Sequence, residues 1–144
     1  MNKSGRLLGV DFGKSKVGLA VSNFEQNMVF RRGVIKNYKS LVNLFGLLAE
    51  IVKKENIVNV VFGLPLSEDG RKTNQSGSIV AIGEKFEAFL GKKIILYQDE
   101  SFSTFEARRD LGELDHKAVN GDDDDMAAFI ILRNYLEKHG NFKK

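Results

Sequence analysis

The apolar residues of this chain change period several times. Leu7-Leu8-Gly9-Val10 and Val17-Gly18-Leu19-Ala20-Val21 are short apolar runs separated by a Gly/Lys/Ser cluster, a pattern that predicts a strand, a tight turn and a second strand. After a turn at Glu25-Gln26-Asn27, Met28 to Ile35 predicts a third strand, so the chain opens as an antiparallel meander. From Ser40 the spacing becomes helical, with Leu41, Leu44, Phe45, Leu48, Ile51 and Val52 on one face and Lys53-Lys54 placed to favour the C-terminal end of the dipole. Ile57 to Phe62 is a β-branched run that reads as a buried parallel strand, ended by Gly63-Leu64-Pro65-Leu66. Ser67 to Ser78 reads as a polar loop. A second helical pattern follows through Ile79, Ile82, Phe86, Phe89 and Leu90, with Gly91 placed as its cap. Lys92 to Gln98 is the next strand, stopping at Asp99-Glu100. Ser103-Thr104-Phe105-Glu106 is a capping-box pattern that predicts a short helix to about Leu111. Gly112 to Gly121 is polar, and the last helix begins among Asp122 to Asp125 and continues through Ala127, Ala128, Ile131, Leu132, Tyr135 and Leu136.

The order β-β-β-α-β-α-β-α-α predicts an α/β fold: a mixed five-stranded sheet, three strands antiparallel and then two parallel, flanked by helices. No repeat or linker divides it, so residues 1–144 are expected to form one domain. Right-handed crossovers make the fourth and fifth strands parallel to the first. With the first strand central, the C-terminal ends of the first and fifth strands reach the same sheet edge. Asp11 and the Asp99-Glu100 pair are then neighbours.

Composition narrows the chemistry. With 42% hydrophobic and 28% charged residues the chain is expected to be globular, and with no cysteine it has neither a disulfide framework, a thiolate metal site nor a cysteine nucleophile. Met1 to Arg6 lacks the apolar core of a signal peptide and no apolar run is long enough to span a bilayer, so a cytoplasmic location without membrane contact is expected. The net charge of +3 is modest, but four acids are consecutive at Asp122 to Asp125, and 22 basic residues against the other 15 acids leave the rest of the chain at +7. A basic body with acids gathered in one place suits a metal-dependent enzyme acting on a polyanion. On composition alone the acid run reads first as a solvated helix start.

The candidate chemistry lies in the carboxylates. Asp11 ends the first apolar run, where a buried strand emerges, and Gly13 and Gly18 leave the nearby backbone open to a bulky group such as a phosphate. Taken alone, Asp-x-Gly is ordinary turn chemistry. The last helix can be tested by angle, at about 100° per residue. With Asp124 at zero, Ala128, Ile131 and Tyr135 lie within about 40°, Asp125 near about 100°, and Asp122 and Asp123 away from that stripe. Asp124, and after it Asp125, is therefore the acid expected on the packing face, where a charge needs a partner such as a cation. Carboxylates from a central strand, a strand end and a packing helix make a hard-oxygen site for Mg²⁺ or Mn²⁺, one ion or two about 4 Å apart, suited to phosphodiester hydrolysis.

Gly9-Val10-Asp11-Phe12-Gly13 with Lys16 to Ser22, Val61 to Leu66 with Asp69-Gly70, Asp99-Glu100 with Ser103 to Ala107, and Asp124-x-x-Ala127-Ala128 with Ile130-Ile131-Leu132 together resemble the YqgF/RuvX family, in order and over nearly the whole chain. The resemblance implies an RNase H-like fold and a metal-dependent nuclease of Holliday junction resolvase-like type, associated with 5′-end processing of the precursor of bacterial 16S ribosomal RNA. It further implies Asp11, Glu100 and Asp124 as catalytic residues and metal ligands. Asp99 is the secondary member of its pair, because adjacent strand residues point in different directions. Two positions depart from the family pattern: Ser101 stands where Arg is usual after Asp-Glu, and Ser15-Lys16 where a Lys-Arg pair is usual.

Candidate nucleic-acid contacts are Gly13, Lys14 and Lys16 in the first turn, Arg71 and Lys72, Ser103 and Thr104, and Arg108 with Arg109. Phe102 and Phe105 could stack on an unpaired base, but core packing explains them as well. His116 and His139 show no ligand spacing and read as surface residues. Expected partners are RNA or DNA and pre-ribosomal particles, with the protein a monomer or a homodimer. Two other classes compete. The Asp-x-Gly hairpin also resembles the phosphate loop of actin-like and sugar-kinase ATPases, which close two such domains over a nucleotide where this chain has one. A binding or ribosome-assembly factor on the same fold would bind nucleic acid without needing Asp11 or a metal.

Overall fold

A computed structural model of the chain describes residues 4–13, 15–67, 69, 71, 73–101 and 125–141. Its strands are β1 (Arg6–Phe12), β2 (Lys16–Ser22), β3 (Val29–Lys36), β4 (Ile57–Leu66) and β5 (Ile95–Ser101), with helices α1 (Leu41–Lys54), α2 (Asn74–Leu90) and α3 (Met126–His139). The strands form one sheet in the order β3-β2-β1-β4-β5, so β1 is central. β1 and β2 pair antiparallel, as do β2 and β3, while β4 runs parallel to both β1 and β5. This is the expected mixed sheet, and the C-terminal ends of β1, β4 and β5 share one edge.

Alternation along the strands divides the core into two layers. Leu8, Val10, Phe62 and Ile95 pack with Leu44, Phe45, Leu48, Ile79 and Phe86 of α1 and α2 on one face. Leu7, Ala20 and Val61 pack with Ala128, Ile131, Leu132, Tyr135 and Leu136 of α3 on the other. The α3 face is built for close approach. A Cβ at Gly9 would lie 2.9 Å from the Leu132 Cβ, and one at Gly63 would overlap Ile131.

Several boundaries differ from the sequence expectation. The segment read as a loop to Ser78 turns helical at Asn74, because Thr73 caps the helix: its hydroxyl accepts from the Ser76 amide at 3.1 Å and the Ser76 hydroxyl accepts from the Thr73 amide at 2.9 Å. A serine at the third helical position closes this box, where a Glu or Gln is the usual signal. β4 continues through Leu66 instead of ending at Gly63, since β5 supplies partners for Leu64, Pro65 and Leu66 at Asp99, Glu100 and Ser101. β5 starts at Ile95 instead of Lys92 and carries the acid pair inside its paired length. α3 starts at Met126 with Asp125 as its N-cap, later than the acid run predicts. The helix expected over Ser103–Leu111 lies outside the described residues.

Candidate active site

Strand parity decides which acids meet. On β1, Leu7 and Gly9 face α3, so Asp11, two residues on, is directed to the same side. On β5, Leu96 belongs to that layer and Ile95 to the opposite one, which places Gln98 and Glu100 on the α3 side and Asp99 on the other. Asp11 and Glu100 accordingly line one cavity of about 330 Å³ at the C-terminal sheet edge, together with Gly63, Pro65, Gln75 and residues of α3. Asp99 is exposed and does not line it.

The two cavity acids are held differently. Among the described residues the Asp11 carboxylate has no hydrogen-bond or ion-pair partner, and burial pushes its pKa up from 3.8 to about 6. Glu100 is fixed by α3: the side-chain amide of the buried Asn134 donates to Glu100 Oε1 at 2.6 Å. A carboxylate that receives an N–H is favoured in its charged form and held in one rotamer.

Asn134 was not anticipated from the sequence. Its signal is helical phase, since it lies seven residues after Ala127 and four after Ile130, and both of those line the cavity. Gln75 was also missed, and a glutamine in a polar stretch offers no signal.

Asp125 points elsewhere. Its Oδ1 accepts from Arg31 Nε at 2.9 Å and its Oδ2 from the Gly33 amide at 2.8 Å. These two donors converge because β3 bulges: Leu19 pairs with Gly33 and Ala20 with Arg31, skipping Arg32, and Gly33 takes a φ of 89°. The start of α3 is thereby pinned to the β3 side of the sheet. Asp124, the third expected acid, lies outside the described residues. No group of three or more His, Cys, Asp or Glu positioned to hold a metal occurs among the described residues.

Of the expected nucleic-acid contacts, Gly13 is exposed and its amide donates to the Lys16 carbonyl at 2.9 Å, closing the β1–β2 turn, with Lys16 at the start of β2. Arg71 is exposed and pairs with Asp69 at 2.7 Å. Lys14, Lys72, Ser103, Thr104, Arg108, Arg109, Phe102, Phe105 and His116 lie outside the described residues. His139 is exposed and packs on Tyr135, with ring centroids 4.7 Å apart.

The family model for RuvX, described as Holliday junction resolvase, matches residues 5–138. The chain belongs to the RuvX family. Relatives that carry the name "Putative pre-16S rRNA nuclease" include one from Ruminiclostridium cellulolyticum, 31% identical over 96% of this chain and 99% of its own length. Another, from Lactobacillus acidophilus, is 34% identical over 93% of this chain and 97% of its own. A third, from Caldanaerobacter subterraneus, is 32% identical over 94% and 99%. Among solved structures, T. thermophilus RuvC in complex with a Holliday junction substrate is 12% identical, with a TM-score of 0.50 over 92% of this chain and 94% of that one. The RuvX chain thus has an RNase H-like fold, as the motif resemblance implied.

The cavity's donor set fits a hard divalent cation. Two carboxylates from neighbouring parts of one sheet face offer oxygen ligands only, and Asp11 carries a buried charge that no described residue neutralises. No described helix is long and apolar enough to cross a membrane.

Proposed function

We propose that this RuvX-family chain is a divalent-metal-dependent nuclease that hydrolyses phosphodiester bonds, with Asp11, Glu100 and Asp124 as its catalytic and metal-binding carboxylates. The observation that carries the reading is the pairing of a half-buried Asp11, without a partner among the described residues, with an oriented Glu100 in one cavity at the sheet edge. The names of the relatives support pre-16S ribosomal RNA as the substrate, in 5′-end processing during ribosome biogenesis in the cytoplasm, with pre-ribosomal particles as partners.

Asp11 and Glu100 would hold Mg²⁺ or Mn²⁺, and Asp124 joins them by its place in the family motif. A bound ion of this kind supplies Lewis-acid activation of water and neutralises charge on the scissile phosphate. Asp11 contributes a carboxylate fixed by the paired β1 backbone. Asn134 holds Glu100 through its hydrogen bond at the cavity, and Asp125 anchors the start of the helix that carries Asn134. Gly13, which is exposed, and Lys14, Lys16, Arg71, Lys72, Ser103, Thr104 and Arg108 are placed by sequence to meet the polyanion.

Cleavage of labelled single-stranded RNA, single-stranded DNA and a four-way junction tests this, in Mg²⁺, Mn²⁺ or EDTA, with wild type, Asp11→Asn and Asp124→Asn. Metal-dependent cutting lost in both variants is the expected result. Binding of nucleic acid that survives EDTA and both substitutions, with no cutting by folded wild type, would overturn it in favour of a non-catalytic assembly factor. The family description favours a second reading, junction resolution. Preferential cutting of the four-way junction would select it over RNA processing.

A further inference from the structure

We propose that the cavity beside the acid pair is a receptor for a single unpaired nucleobase, so that the enzyme acts at nucleotides free of a duplex. The inference rests on the nuclease reading above and adds the substrate feature that the site selects. Among the described residues, the cavity wall other than Asp11, Glu100 and Gln75 is largely apolar, with Phe12, Pro65, Ile79, Ala127, Ile130 and Ile131. A phosphodiester backbone gains nothing from such a wall. A base does, because it has an apolar face to bury and a polar edge to satisfy.

The wall is already built. Phe12 is set edge-on against Phe62 with ring centroids 4.8 Å apart. The Thr73 hydroxyl donates to the Pro65 carbonyl at 3.1 Å, tying the floor to the capped start of α2, from which Ile79 and Gln75 project. Among the described residues Gln75 is the one side-chain amide that lines the cavity, and it offers both a donor and an acceptor to a base edge. The volume of about 330 Å³ is at the small end of organic-ligand sites. The cavity opens at the C-terminal ends of the parallel strands, the usual ligand crevice of an open α/β sheet. With a phosphate engaged at the acids, the base of an adjoining nucleotide falls within reach of this wall only if it has left its stack.

The test places 2-aminopurine, which brightens when it leaves its neighbours, at successive positions around the mapped cleavage site of a single-stranded oligonucleotide. Binding is followed on the non-cleaving Asp11→Asn protein. One position is expected to brighten, and the signal is expected to fall about 10-fold when Ala127→Phe fills the cavity in the same background. Gln75→Ala, an exposed change that leaves the core intact, is expected to weaken it several-fold. An abasic nucleotide at that position, or a complementary strand that pairs it, is expected to slow wild-type cleavage by about 10-fold. Uniform or absent brightening, or brightening indifferent to both substitutions, would overturn the base receptor while leaving Asp11-dependent cleavage standing. Cleavage that ignores Asp11 would instead overturn the nuclease reading.

Discussion

Two aspartates near the start of α3 live in opposite circumstances. Asp125 gives one oxygen to Arg31 and the other to the Gly33 amide. Asp11, which shares its cavity with Ala127 of the same helix, is buried without a partner among the described residues, and its pKa rises to about 6. Burial of a carboxylate is costly unless its charge is met. At Asp125 the fold meets it, with a bulge shaped to aim two donors at one group. At Asp11 no described residue offsets the cost, which is what the proposed cation site requires and a structural ion pair does not. The contrast separates two acids that the sequence offers as candidates, Asp11 ahead of Asp125.

The largest expected effect sharpens this contrast on the catalytic side. Asp11→Asn is expected to lower metal-dependent cleavage by about 1,000-fold or more, on the scale of losing one group from a machinery that acts as a unit. Asp125→Asn is expected to retain cleavage within about 10-fold of wild type, read in the same assay. Equal losses would erase the distinction between the two acids.

On the structural side, Asp125→Ala is expected to cost about 2–4 kcal/mol of stability. It removes the carboxylate that Arg31 Nε donates to and the acceptor of the Gly33 amide. Urea denaturation measures it, and a loss below about 0.5 kcal/mol would show that the bulge does not depend on its carboxylate.

Asn134→Ala releases Glu100 from its hydrogen bond and is expected to raise the Mn²⁺ concentration for half-maximal cleavage by about 10-fold or more, as for other groups that orient a metal ligand. Asn134→Gln, which keeps the amide on a longer arm, should recover part of the loss. A loss of stability with an unchanged metal requirement would make Asn134 a packing residue only.

Much of this organisation was legible in the chain. The hairpin of β1 and β2, the amphipathic α1 and the β-branched β4 were fixed by period, and right-handed crossovers then required Asp11 and Glu100 to reach one edge. The family motif singles out Glu100, parity separates it from Asp99, and the layers around Leu96 and Ile95 place Glu100 on the α3 side. What was hidden depends on pairs distant in sequence. No local pattern announces that Arg31 and Gly33 belong to Asp125, since the contact spans more than 90 residues and needs a bulge to form. Asn134 reads as a neutral polar residue until the helix is docked against β5. The start of α2 was missed because its box closes with serine.

The most direct test of the central claim is thermal or urea unfolding of wild type and Asp11→Asn in EDTA and in Mn²⁺ across pH. A carboxyl with a raised native pKa binds more protons folded than unfolded, so its ionisation destabilises the fold as pH rises from about 4 through about 6. In EDTA, Asp11→Asn is therefore predicted to match wild type near pH 4 and to exceed it by up to about 3 kcal/mol above pH 6. Mn²⁺ is predicted to raise the stability of wild type and to do little for Asp11→Asn, closing or reversing that gap. Equal stability of the two proteins in EDTA at pH 7, with equal responses to Mn²⁺, would contradict the claim that Asp11 is a buried charge kept for a cation.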